Sequence, residues 1–115
     1  MVNVMTQEPT AQYLHARAEK AFEHMIVAWD YWEDGATDNE VAVSLATFIA
    51  VVAEFIDDAA RYAPLASKEC LAKLTPAIEA ARSASTFDDQ WDACDELEAV
   101  LYETQQALGY EDVLK

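Results

Sequence analysis

Residues 37–62, TDNEVAVSLATFIAVVAEFIDDAARY, decide the fold. The stretch opens on Thr37-Asp38-Asn39-Glu40, a capping box: the Thr37 oxygen accepts the N–H of residue 40 and the Glu40 carboxylate reaches back to the N–H of residue 37. Behind it, Val41, Leu45, Phe48, Ile49, Val52, Phe55, Ile56 and Ala59 recur at helical steps, which predicts a helix running to about Tyr62, with Pro64 just beyond it. The β-branched residues in this run would suit a strand, but the run is too long for one and its start is a helix cap. Val43, Ala46, Ala50 and Ala53 make the opposite side apolar as well, so this helix is expected at the centre of the molecule.

Three weaker segments flank it. A first helix is predicted from about Thr10 to Glu33, with Pro9 as a first-turn proline and Asp34-Gly35 as its stop. Leu14, Ala18, Ala21, Phe22, Met25, Trp29 and Trp32 form its expected core face. A third segment, about Ser67 to Ala84, has Leu71, Leu74, Ile78 and Ala81 at the right period. It contains Pro76, which leaves open one kinked helix or two short ones. A fourth runs from about Phe87 to Leu108, capped by Thr86 with Asp89 or by Ser85 with Asp88 and ended by Gly109. Its expected buried face is Phe87, Trp91, Cys94, Leu97, Leu101 and Leu108. Tyr110, Val113 and Leu114 would dock the tail or leave it frayed. Residues 1–6 and 110–115 are the ends expected to fray. The fold class is therefore all-α: a single domain, residues 1–115, built as a bundle of four helices, or five if Pro76 divides the third.

Composition narrows the function classes. The chain has 115 residues, 53% of them hydrophobic, with a formal net charge of −15, so it combines a core with a strongly acidic surface. Only 2 Gly and 3 Pro leave few turns for a many-stranded β fold. The charge argues against direct contact with nucleic acid or an anionic membrane. The start lacks a basic, apolar secretory pattern, and the longest uncharged run, Val41 to Ala53, is short for a membrane span. The expected compartment is the cytoplasm. Cys70 and Cys94 have no CxxC spacing and are expected as small buried thiols.

The acidity is concentrated. After Arg82 come Asp88, Asp89, Asp92, Asp95, Glu96, Glu98, Glu103, Glu111 and Asp112, opposed only by Lys115. At 100° per residue, Asp88, Asp89, Asp92, Asp95, Glu96 and Glu103 share the outer side of the fourth helix, with Glu98 bordering the core face. No lysine or arginine follows at i,i+4, and like charges at that spacing destabilise a helix. Two readings are open: a solvated acidic face, or a docking face whose carboxylates imitate a line of phosphates before a basic groove. Tyr13, Val27 and Tyr31 on the first helix are a second candidate partner surface, unless the third helix or the tail covers them.

One constellation has metal-site spacing. Asp30-x-x-Glu33 and Glu54-x-x-Asp57 put carboxylate pairs on two successive helices, where antiparallel packing would let them gather Mg²⁺. The spacing resembles the ExxE and ExxD pairs of the all-α nucleoside triphosphate pyrophosphohydrolases of the MazG kind. It implies Mg²⁺-dependent nucleotide hydrolysis at Asp30, Glu33, Glu54 and Asp57. The likeness covers those four positions alone, and Asp30 stands where that family has Glu. His15 and His24 lack an ExxH or HxxxH partner, and no nucleophile motif or phosphate loop is present.

The expectation is a non-catalytic acidic protein with no catalytic residues, cofactor or metal. It would bind, and inhibit, a basic and nucleic-acid-binding protein surface. Anti-CRISPR inhibitors and toxin-neutralising immunity proteins share this profile of size and charge. The alternative is the Mg²⁺-dependent hydrolase.

Overall fold

The chain folds around the capped helix. In the computed structural model, which describes the backbone of residues 2–62 and 64–107 and the side chains of 13–61 and 68–107, α1 is Val2–Glu33, α2 Asp38–Tyr62, α3 Pro64–Ser83 and α4 Phe87–Ala107. No strand occurs among the described residues, and the architecture is an all-α, single-domain four-helix bundle. The capping box forms as expected: the Glu40 N–H donates to Thr37 Oγ1 at 3.3 Å and the Thr37 N–H to Glu40 Oε1 at 3.2 Å. At α4 the cap is Thr86, whose Oγ1 accepts the Asp89 N–H at 3.1 Å. Helix α1 ends in a Schellman motif. Ala36 N–H donates to Tyr31 C=O at 2.9 Å and Gly35 N–H to Trp32 C=O at 3.2 Å, with Gly35 at φ +82°.

Helix α2 packs against each of the other three, whereas α1 and α4 touch one another least, and α1 does not meet α3 among the described residues. The core is the set of inward faces: Leu14, Met25, Val41, Leu45, Phe48, Val52, Phe55, Leu74, Leu97 and Leu101 are almost wholly buried. Side-chain contacts fix the antiparallel register. Arg17 meets Glu54 and Tyr13 meets Asp58 across α1 and α2; His15 meets Gln105 and Trp29 meets Trp91 across α1 and α4.

Several local expectations are corrected. Helix α1 begins at Val2, taking in residues 2–6, so Pro9 lies inside it instead of in its first turn. Pro76 sits inside one continuous α3. Proline loses a donor and crowds the carbonyl four residues back, but Pro76 and Ala72 are both exposed, on the solvent side of the helix, where a carbonyl left without its helical donor costs least. Trp29 and Trp32 are 40% and 54% exposed instead of in the core, and Phe87 and Trp91 are only partly buried. The second side of α2 is largely uncovered, with Val43 67% exposed and Ala46 and Ala50 exposed beside it. Thr104 and Gln105, polar residues outside the expected core, are buried. Cys94 is buried and Cys70 half-buried, both as free thiols. The segment Asp38–Arg61 is long and apolar enough by composition to cross a membrane; here it is the helix that all the others pack on. Leu108, Gly109 and the tail residues lie outside the described residues.

Candidate functional site

All six carboxylates of the expected stripe are exposed, and among the described residues none of them forms an ion pair. The neighbouring helices divide the stripe. Asp88, Asp92 and Asp95 turn toward α1 and edge the grooves between α1 and α4. Glu103 turns toward α3, where it lines a small cleft with Glu69, Cys70 and Lys73. Asp89 and Glu96 lie on that same α3-facing half by helical position.

The α1–α4 seam is a groove because both helices pack mainly on α2 and meet each other at few points, His15 with Gln105 toward one end and Trp29 with Trp91 toward the other. Its first part, about 460 Å³, has Phe22, Ile26, Ala99 and Tyr102 as apolar lining and Glu19, Asp95 and Glu98 as charges. Ile26 and Tyr102 are 58% and 51% exposed, an apolar surface unusual for so acidic a protein. At its end, Gln105 Nε2 lies 2.9 Å from His15 Nδ1, and His15 Nε2 lies 3.4 Å from Glu19. If the amide donates to Nδ1, the ring proton sits on Nε2 and points at the Glu19 carboxylate.

Electrostatics along this edge are unfavourable. Burial, and then the Asp95 charge, raise the Glu98 carboxyl above its ordinary pKa; burial, and then Asp92, do the same to Asp95. Burial next to Asp95 and Glu98 pushes the Cys94 thiol up to about 12. Each group holds its proton more tightly because the charged form is desolvated among like charges.

The second part of the seam, about 420 Å³, is lined by Trp29, Trp32, Phe87, Asp88, Trp91 and Asp92. Trp29 meets Trp91 edge to face, centroids 4.9 Å apart and planes at 76°, and meets Trp32 at 5.8 Å and 85°. Phe87 lies 6.1 Å from Trp91. Sequence periodicity assigned these aromatics to the core; the one local hint was that Trp29 and Trp32 stand in the last turns before the α1 stop, at the end of the helix.

Tyr13, Val27 and Tyr31 are 44%, 38% and 44% exposed, so α3 does not cover them. They do not make one patch. Val27 is 14 residues, about 21 Å, beyond Tyr13 along α1. The Tyr13 hydroxyl donates to Asp58 Oδ2 at 3.1 Å. Arg17 lies between the helices, 3.2 Å from Glu54 and 3.3 Å from Asp58. Its buried Nε–H, although close to Asp58, makes no hydrogen bond, so that contact is coulombic.

The same register separates the metal-type pairs. Glu54 lies opposite Arg17, and Asp30 is 13 residues, about 20 Å, further along α1. Asp30 and Glu33 are therefore not brought to Glu54 and Asp57, and no group of three metal-ligating side chains occurs among the described residues. Comparison with protein-family models, curated proteins and solved structures finds no match.

Proposed function

We propose that this is a non-catalytic interaction protein, of inhibitor type, that lays the outer face of α4 on the basic, nucleic-acid-binding surface of a partner protein. The observation that carries the reading is the run of exposed carboxylates from Asp88 to Glu103. It covers about 22 Å of helix with no cation partner among the described residues. A chain selected only for solubility gains nothing by stacking like charges at i,i+3 and i,i+4. A basic partner turns that repulsion into attraction and steers association. Carboxylates at successive helical turns form a row that a groove built for phosphates accepts.

The test begins with a partner recovered from the source cells at low salt and lost at high salt, then purified. Binding is measured for the parent and for the variant Asp92→Asn, Asp95→Asn, Glu96→Gln, Glu103→Gln, with nucleic acid as competitor. The variant should fold, melt no lower than the parent and bind at least about tenfold more weakly, since close interfacial charge pairs are each worth ~1.5 kcal/mol or more. Nucleic acid should displace the parent. Equal binding by the variant at low salt, or indifference to nucleic acid, overturns the reading.

A further inference from the structure

We infer that the groove bounded by Trp29, Trp32, Phe87 and Trp91 is a binding site for an organic cation, the guanidinium of an arginine presented by a partner protein. The inference rests on the reading that α4 meets a basic partner, and it names one contact within that encounter.

The walls are aromatic and fixed. Trp29 packs edge to face against both Trp91 and Trp32, at 76° and 85°, so the indoles stand at steep angles to one another and all three line the groove. An aromatic face carries the negative lobe of the ring quadrupole and attracts a cation. Trp29 and Trp32 are 40% and 54% exposed, apolar area that the free protein leaves in water. Two carboxylates line the same groove: Asp88 and Asp92, one helical turn apart on α4. Among the described residues no basic side chain lines it.

Charge decides among occupants. A neutral apolar group would desolvate Asp88 and Asp92 without neutralising them. A second copy of this chain brings another net charge of −15 to an acidic rim. Guanidinium satisfies both sets of walls. It is planar and weakly hydrated, so it stacks on indole, and its forked N–H donors reach carboxylates. The ammonium of lysine is more strongly hydrated and cannot stack in this way.

The chain's 3 tryptophans all line this groove, so indole signals report on it directly. The isolated protein is titrated at constant ionic strength with N-acetyl-arginine methylamide and with its lysine and citrulline counterparts. Tryptophan fluorescence and indole N–H chemical shifts are followed. The arginine compound should give saturable changes, the lysine compound should bind about 2- to 5-fold more weakly, and neutral citrulline should give none. Asp88→Asn with Asp92→Asn, and separately Trp32→Leu at its exposed position, should each weaken the arginine response several-fold without lowering the melting temperature. Identical responses to arginine and citrulline, or no saturable response to arginine, overturn the cation site. The docking reading is tested apart from it by Asp95→Asn, Glu96→Gln, Glu103→Gln, which leaves the aromatic groove intact. Undiminished partner binding by that variant, with arginine binding retained, removes the docking reading and leaves the cation site.

Discussion

Asp92 is the residue at which the acidic face should be most expensive. Asp88 and Asp89 lie four and three residues before it, and Asp95 and Glu96 three and four residues after it, so four like charges surround one carboxylate. Each such neighbour destabilises a helix by ~0.2–0.5 kcal/mol, so replacing Asp92 by Asn should stabilise the fold by about 1 kcal/mol at low salt. Asn and Asp have similar helix propensities and similar size, so little else changes. In a domain of this length that gain is a rise of roughly 3–6 °C in melting temperature. The control is Glu103→Gln: the uncharged Ala99, Val100, Gln106 and Ala107 occupy its i±3 and i±4 positions, and of the two charges lining its cleft on α3, Glu69 repels it and Lys73 attracts it, so its melting temperature should move much less. The assay is thermal unfolding followed by circular dichroism at 222 nm in about 10 mM salt, repeated near 1 M, where the Debye length falls to ~3 Å and most of the gain should vanish. Equal shifts for the two variants, a shift that survives 1 M salt, or a loss of stability on Asp92→Asn would refute the claim that α4 carries unrelieved repulsion.

The raised carboxyls of Asp95 and Glu98 set a pH dependence: the folded chain holds these protons more tightly than the unfolded one, so stability should rise as pH falls from neutrality through their folded pKa values and level off below the ordinary carboxylate range. Melting scans from pH 7 to pH 4 should show this rise for the parent and a smaller one for Glu98→Gln. Gly35→Ala should cost about 1 kcal/mol in urea unfolding; a Cβ there meets nothing within 4 Å, so the loss comes from the φ of +82° alone. Iodoacetamide at pH 8 should modify Cys70 and spare Cys94, read by mass spectrometry, because Cys94 is buried and its thiol lies near 12; alkylation of both at equal rates would contradict that burial.

The elements were legible in the sequence where the signal was local. Thr37 with Glu40, Thr86 with Asp89, and Gly35 each act within one turn of chain, and all three occur where read. The inner face of α2 was legible because its apolar residues repeat over five turns, whereas of the face expected on α4 only Cys94, Leu97 and Leu101 are buried, with Phe87 and Trp91 partly buried. Pro76 was ambiguous because its cost depends on whether water can reach the carbonyl of Ala72. The acidic residues of α4 were legible as an outer face, but their division between the α1 side and the α3 side was not.

The sequence by itself determined that four helical segments exist, the caps at Thr37 and Thr86 and the stop at Gly35, the residues turned inward on α2 and the acidity of α4, since each depends on neighbours within about four positions; it did not determine where α1 and α3 begin. Only the tertiary structure decided which faces are covered. A periodic pattern places a side chain at an angle around its helix; it does not say whether another helix stands there. Trp29, Trp32 and Trp91 have core-like spacing, yet α1 and α4 pack mainly on α2 and only sparsely on each other, so these rings meet one another along a groove. Asp30, Glu33, Glu54 and Asp57 have metal-like spacing, yet the register set by Arg17 against Glu54 holds the two pairs about 20 Å apart. Distance between helices and register along them are summed over the whole interface, and no local pattern contains that sum.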